Sequence, residues 1–291
     1  MTIAEPLPTS LATEAGDQLA DFCLWPYEPL APTARGLRSE AVLWAAAQLD
    51  PAGGRLLAVI RALQHELGRG QIVWGIKRAG GRLSYELYFY DYARAERRMS
   101  LQRVLACLAP FAPSRLSIPD ERPYFMFSID IEPQGLEVRR PIDEVNLYFG
   151  NPSSDLSSGL SYRLTADGLE FANLYHFFHT RDDAAALRRK LVTSARLDAA
   201  EGVADLLLDP HKLGVVTVIA NKRHSDGVYY SRVRAPQMAD FIVEHGYPSP
   251  LVSFVRAHLN RFAHLYFDLG VDYAMVEGRL EVSKTAVYGF A

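Results

Sequence analysis

The sequence predicts an α/β fold built from five β-hairpins, with helices between most of them. Three observations support this prediction. Apolar and polar residues alternate with a period of two in five pairs of segments, and turn residues join most of these pairs. Apolar residues recur with a helical period in the stretches between the pairs. The pattern returns about every 50 residues, as in a chain built from one repeated supersecondary unit. Pairing across short turns is antiparallel, which argues against a Rossmann-like parallel sheet.

The first third of the chain contains two predicted helices, one hairpin and a third helix. Ser39 is placed to cap a helix that ends near Leu49, and a second helix follows to about Leu67. The strands 71–77 and 82–91 alternate across a Gly80-Gly81 turn. The apolar faces of the second and third helices are Leu56, Val59, Ile60 and Leu63, and Leu101, Val104, Leu105 and Leu108.

Four more hairpins and further helices are predicted after residue 120. Asp182 is a candidate cap for a helix that carries Leu187 and Leu191, and two helices around 235–262 are broken near Gly246. The predicted hairpins are 124–132 with 138–149, 160–165 with 169–178 across Asp167-Gly168, 214–220 with 228–234 across Asp226-Gly227, and 271–276 with 280–290 across Glu277-Gly278.

Composition and charge restrict the class of protein. With 291 residues, the chain fits a single domain over 21–291 that follows a disordered segment over 1–20. A net charge of -3 gives no footprint for nucleic acid or an anionic membrane. Cys23 and Cys107 suggest small core residues rather than a disulfide framework, which fits a reducing cytoplasm. The N-terminal residues lack the pattern of a signal peptide, and no apolar run has the length of a membrane helix.

The alternation divides each strand between two faces, and ten antiparallel strands avoid free edges if they close into a barrel with the helices outside. An open sheet with one solvated face explains the same periodicity, and then its polar face would be ordinary surface. In the barrel, the helix-facing set includes Ile72, Trp74, Ile76, Leu87, Phe89, Phe125, Phe127, Ile129, Leu147 and Phe149. The lumen-facing set includes Val73, Lys77, Glu86, Tyr88, Tyr90, Met126, Ser128, Asp130, Asn146, Tyr148, Ser161, Arg163, Asn173, Tyr175, Tyr230, Arg232, Lys284, Ala286 and Tyr288.

Short strand motifs resemble those of a known enzyme family. Residues 145–149 read VNLYF, 284–288 read KTAVY and 228–234 read VYYSRVR. Together with the order of elements over roughly residues 70–290, they resemble the ABBA-type prenyltransferases. The first two motifs resemble strands of the bacterial aromatic prenyltransferases, whereas the chain from Val228 to the end and the stretch from Leu83 through the following helix resemble the cyanobactin peptide prenyltransferases. The resemblance implies a ten-stranded antiparallel β-barrel of five hairpins ringed by α-helices (the PT barrel), with the active site in its lumen.

The resemblance also implies a reaction and roles for lumen residues. It implies transfer of a dimethylallyl or geranyl group from its diphosphate, with Mg²⁺ bound through the diphosphate, to an electron-rich Tyr, Trp, Ser/Thr or Arg side chain of a peptide natural product. Cations and amides would stabilise the leaving diphosphate, tyrosine rings would shield the allyl cation, and a carboxylate would accept the released proton. The corresponding residues are Lys77, Asn146, Arg163, Arg232 and Lys284 for the diphosphate; Tyr88, Tyr90, Tyr148, Tyr175, Tyr230 and Tyr288 for the cation; and Glu86 or Asp130 for the proton.

Two features depart from the family pattern. The link after Phe149 is too short for the expected helices, and the first strand offers Val73 and Lys77 to the lumen where the family often carries an acid. The short link would open one side of the barrel to a peptide, with Asn151, Pro152, Ser153, Ser154 and Asp155 available for hydrogen bonds.

The sequence also allows other functions. A free small aromatic acceptor is one alternative, and a non-catalytic barrel that binds a hydrophobic ligand is another. His176 and His179 lack an evident third metal ligand, so a protein-held metal is not expected.

Overall fold

The computed structural model describes residues 3, 6–21, 23–94, 96–119, 121–151, 157–193 and 201–291, with the backbone alone at 201–203. Ten antiparallel strands form one closed barrel, in which every strand pairs with its neighbours in sequence and the first pairs with the last. The closed ten-stranded barrel is therefore confirmed, and the open-sheet alternative is wrong. The strands are β1 Val73–Ala79, β2 Arg82–Tyr90, β3 Met126–Ile131, β4 Val145–Gly150, β5 Ser158–Thr165, β6 Gly168–His179, β7 Val216–Lys222, β8 Asp226–Arg234, β9 Tyr266–Val276 and β10 Arg279–Phe290.

Helices surround the barrel on its outer side. α1 packs against α2, α8 and β1, α2 against α3 and α4, α5 against β6 and β7, and α7 against β8 and β9. Their apolar faces and the outward strand residues form one buried core. None of the described helices has the length and apolar character needed to span a membrane. The helices are α1 Glu40–Ala47, α2 Gly53–Leu67, α3 Leu101–Leu108, α4 Pro133–Glu137, α5 Ala184–Val192, α6 Glu201–Leu207, α7 Ala235–Glu244 and α8 Ser249–Ala257, with 3-10 turns at Thr9–Leu11 and Leu259–Phe262.

Four of the five hairpins have tight turns. The turns at Gly80-Gly81 and Glu277-Gly278 have positive φ at both residues, as the type I′ hairpin turn requires. The β5–β6 turn consists of Ala166 and Asp167, one residue before the predicted Asp167-Gly168, since Thr165 pairs with Gly168.

Three local predictions are wrong. The β7–β8 turn lies at Arg223–His224, before the predicted Asp226-Gly227, and Asn221 pairs with Asp226. The second hairpin contains the short α4, because Pro133 at its first turn favours a helix start, and β4 begins only at Val145. Ser39 does not cap α1; its hydroxyl instead donates to the carbonyl of Phe290 and accepts from that residue's amide.

The two ends of the barrel differ. We call the end that carries the four tight turns the hairpin end; the connections between hairpins lie at the other end, the linker end. Residues 19–21 and 23–27 lie at the linker end, where the backbone carbonyl of Cys23 accepts a hydrogen bond from Tyr92 and its thiol contacts Tyr90. The described part of the predicted disordered segment 1–20 makes packing contacts, since Leu11 is buried and Asp17 accepts hydrogen bonds from Arg38.

Candidate active site

Five tyrosines form a closed ring inside the barrel, which we call the tyrosine cage. Neighbouring ring centroids lie 5.8 to 6.5 Å apart around the whole circuit. A five-membered ring of that size has its centre about 5 Å from each corner, within the roughly 6 Å at which an aromatic face attracts a cation. In order around the lumen, the cage is Tyr88, Tyr148, Tyr175, Tyr229 and Tyr288.

Glycines in the barrel wall allow two of these rings to lie flat. A Cβ at Gly75 would come within 2.7 Å of the Tyr288 ring, and one at Gly270 within 2.8 Å of the Tyr229 ring and 3.4 Å of the Tyr288 ring. Such approaches are closer than normal carbon contacts, so these rings lie directly over the glycine backbone. Tyr288 therefore turns an aromatic face toward the lumen.

On the hairpin side of the cage, two lysines hold one buried carboxylate. Lys222 Nζ lies 2.6 Å from Asp272 Oδ1, and Lys284 Nζ lies 2.7 Å from Asp272 Oδ2. Lys222 also donates to the Tyr229 hydroxyl at 2.8 Å, which joins this group to the cage. Burial lowers the pKa of Lys222, while Asp272 opposes that shift. Burial would raise the pKa of Asp272, but the two lysines hold it below its usual range.

A second ion-paired group lies on the opposite wall. Lys77 bridges Glu86, at 3.2 Å, and Asp130. Glu86 also accepts a 2.6 Å hydrogen bond from Ser128. Burial alone would raise the pKa of Glu86, but Lys77 and the hydrogen bond from Ser128 keep it below its usual range. Partial burial and the neighbouring Glu86 raise the pKa of Asp130, whose side chain is 57% exposed.

The rim of the hairpin end is polar. Asn146 pairs in register with Ser128 and Arg163, and the Arg163 side chain contacts Glu144 and Glu170. A cleft of about 250 Å³ opens here, lined by Asp130 and Asn146 among others. The rim and the two lysine groups therefore give the hairpin end several donors for an anion.

The linker side of the cage contains a different charged group. Asp268 lies on the same face of β9 as Gly270 and Asp272, and its Oδ1 accepts from the backbone N–H of Arg232 at 2.7 Å. None of the residues that the structure describes donates to Asp268 Oδ2, although this atom is buried. The Arg232 guanidinium instead donates to Asp21 at 2.8 Å.

Most of the predicted lumen residues meet in this region, but two do not take their predicted places. Lys77, Asn146, Lys284 and Arg163 lie toward the hairpin end, together with Glu86 and Asp130, whereas Arg232 is at the linker end and cannot act with them. Tyr230 faces outward: it is 1% exposed in the outer core, and its hydroxyl donates to the Leu207 carbonyl. The bulge after Tyr230 allows Val228, Tyr230 and Val233 to face the helices together. Tyr88, Tyr148, Tyr175 and Tyr288 are in the cage, and Tyr90 lies beside Cys23 on its linker side.

Four residues of the site escaped the sequence interpretation: Lys222, Tyr229, Asp268 and Asp272. A strand signal for the two aspartates is present, because 267–273 alternates strictly between apolar outward residues and Asp268, Gly270 and Asp272. The misplaced β7–β8 turn kept Lys222 out of its strand.

The described residues provide no preformed metal cage. They contain no group of three or more His, Cys, Asp or Glu side chains that could hold a metal, and each lumen carboxylate near the hairpin end pairs with a lysine.

The chain is similar to a prenyltransferase of known structure. The apo form of the prenyltransferase PriB is similar to this chain with a TM-score of 0.46 and 11% sequence identity, over 86% of this chain and 93% of that chain. No family model matches the sequence, and no curated protein does.

Proposed function

We propose that this protein is a prenyltransferase that ionises an allylic diphosphate in the barrel lumen and transfers the prenyl group to an electron-rich acceptor. The tyrosine cage carries the proposal, because a cation at its centre would lie within cation–π distance of five aromatic rings. The lysines that flank the cage on the hairpin side supply the positive charge that a leaving diphosphate requires.

The lysine pair and the tyrosine cage would have different roles in the reaction. Lys222 and Lys284 would bind the diphosphate and stabilise the charge that develops as the carbon–oxygen bond breaks. The allyl cation would be stabilised in the cage, where the surrounding rings exclude water. Each cation–π contact in a desolvated site contributes about 2 kcal/mol.

We propose further that the donor carries a dimethylallyl or geranyl chain and arrives with Mg²⁺. The two ion-paired groups near the hairpin end have equal numbers of positive and negative charges: three lysines, Lys77, Lys222 and Lys284, and three carboxylates, Glu86, Asp130 and Asp272. They therefore have no formal excess charge to offset a diphosphate. A divalent cation bound to the diphosphate would supply the missing charge.

For the acceptor we propose a side chain of a peptide natural product, because the spacing of elements from Val228 onward resembles that of the cyanobactin enzymes. The short β4–β5 link lies at the linker end, so a peptide would approach the cage from the side opposite to the diphosphate. Asn151 of this link donates its backbone N–H to the carbonyl of Ser158, and the other predicted peptide-binding residues, 152–155, fall outside the described residues.

The test is direct. The purified protein is incubated with dimethylallyl or geranyl diphosphate, with and without Mg²⁺, beside a mixed set of short peptides, free tryptophan, free tyrosine and simple phenols. The proposal predicts diphosphate release and the mass gain of one prenyl unit on a peptide. Modification of small aromatics alone would replace the peptide acceptor with a free aromatic one. Binding of the donor without its consumption would show a non-catalytic barrel and refute the proposal.

A further inference from the structure

We propose that Asp268 is the catalytic group that accepts the proton from the acceptor's nucleophilic atom. This inference rests on the proposed prenyl transfer and adds to it the residue that completes the reaction. It also places the acceptor on the linker side of the tyrosine cage.

The first support is the order of groups along β9. Asp268, Gly270 and Asp272 share the lumen face, and Gly270 lies beneath two rings of the cage. Residues two apart on a barrel strand tilted by about 40° are about 5 Å apart along the barrel axis. Asp272 with its lysines therefore lies about 5 Å to one side of the cage, and Asp268 lies about 5 Å to the other.

This spacing matches the reaction. The nucleophile attacks the allylic carbon from the side opposite to the leaving diphosphate, because that side is open. The reacting atoms approach within about 3 to 3.5 Å, and a proton acceptor lies about 3 Å further on. With the diphosphate on Lys222 and Lys284, the in-line position for the proton acceptor falls on the side of Asp268.

The second support is the chemical state of the carboxylate. Asp268 is 5% exposed, and its buried Oδ2 has no donor among the described residues, so this oxygen has unused capacity to accept a hydrogen bond. Burial raises the pKa of Asp268 to about 7, while hydrogen bonds from Ser231 and the Arg232 backbone lower it and Asp21 raises it. Its surroundings also include the neutral side chains of Cys23, Tyr27 and Tyr90 and the Arg232 guanidinium, which lowers its pKa. A carboxylate with a pKa near neutrality is a suitable general base.

The two predicted bases are less suited to this role. Glu86 already binds Lys77 and Ser128, and its low pKa makes it a weak base. Asp130 pairs with Lys77 at the exposed hairpin end, on the diphosphate side of the cage.

The step balances without another reactant. The donor's carbon–oxygen bond breaks and its electron pair leaves with the diphosphate. An electron pair of the acceptor forms the new bond to the allylic carbon, and the acceptor's proton moves to Asp268 Oδ2. The protonated carboxyl then returns that proton to solvent.

The test is Asp268→Asn, which removes the base and retains an oxygen for the Arg232 amide. Prenyl transfer should fall about 10² to 10⁴-fold. Diphosphate release to water, which does not need the acceptor's proton to be removed, should continue. In the wild type, the ratio of transfer to hydrolysis should rise with pH through an apparent pKa near 7. In the Asp268→Asn variant this rise, the pH limb of the profile, should be absent. Asp21→Asn is the matched control: its ratio should still rise with pH, but the rise should occur at lower pH than in the wild type.

Each outcome decides the question. An Asp268→Asn protein with the wild-type ratio and pH limb would overturn the role of Asp268 and leave prenyl transfer intact. A wild type that never releases diphosphate would instead overturn the proposed function. If Asp268→Asn does not fold, Asp268→Glu moves the carboxylate by one methylene and must lower transfer more than hydrolysis; equal effects on both would refute the inference.

Discussion

The neighbouring residues Tyr229 and Tyr230 allow a sharp test of the cage, because they are alike in type and opposite in orientation. Tyr229 lies in the cage, with centroids 6.5 Å from Tyr175 and 6.4 Å from Tyr288. Replacing Tyr229 by Leu removes one cation–π contact of about 1–2 kcal/mol and should slow diphosphate release about 5- to 30-fold. Tyr229→Phe keeps the ring but loses the hydrogen bond from Lys222, so comparing the two variants separates the ring from the hydroxyl.

Tyr230→Leu is the control. Tyr230 packs in the outer core and donates to the Leu207 carbonyl at 2.7 Å, so its loss should reduce the free energy of unfolding by about 2–4 kcal/mol. The folded variant should keep the wild-type rate. The assay is single-turnover diphosphate release at a temperature where urea titration shows both variants to be folded. Equal rate losses for Tyr229→Leu and Tyr230→Leu, or none for Tyr229→Leu, would refute the cage.

Three more predictions concern the wall, the charged layer and the buried acid. Gly270→Ala places a Cβ 2.8 Å from the Tyr229 ring, so that ring must move into the lumen. This substitution should lower the free energy of unfolding, measured by urea titration, by about 1–3 kcal/mol. In a competition assay it should disfavour geranyl diphosphate relative to dimethylallyl diphosphate. Lys284→Ala should raise the barrier to ionisation by about 2–4 kcal/mol with little loss of stability; a wild-type rate would place the diphosphate elsewhere. The pKa of Asp268 rises on folding from 3.8 to about 7, so this group costs stability as pH rises between those values. The free energy of unfolding of Asp268→Asn, relative to that of the wild type, should therefore increase by about 4 kcal/mol from pH 4 to pH 8. A difference between the two unfolding free energies that does not change with pH would contradict the pKa shift.

Much of the fold could be predicted because local signals agreed with the global structure. The positive φ at Gly80-Gly81 and Glu277-Gly278 is what those residue pairs favour, and strict alternation assigns strands such as β2 to two faces. The same alternation led to four of the five cage tyrosines. Closure of the barrel did not follow from periodicity, because a half-solvated open sheet has the same period.

The missing parts of the site have physical causes. The bulge in β8 changes which residues face the lumen, and nothing in the VYYSRVR run indicates where the alternation breaks. This is why Tyr230 was selected instead of Tyr229. Asp268 was missed because the predicted strand begins at Val271, after Gly270, and glycine inside a strand weakens the strand signal. Asp272 lies within the predicted strand 271–276, but its side chain was not assigned to the lumen face. The structure explains that glycine by the rings that lie over it.

The most direct test of the account is a crystal structure with dimethylallyl S-thiolodiphosphate, whose carbon–sulfur bond resists ionisation. We expect the diphosphate on Lys222 and Lys284, the allylic carbon inside the ring of Tyr88, Tyr148, Tyr175, Tyr229 and Tyr288, and free space between that carbon and Asp268. A donor bound outside the cage, or with its diphosphate toward Asp268, would contradict the account.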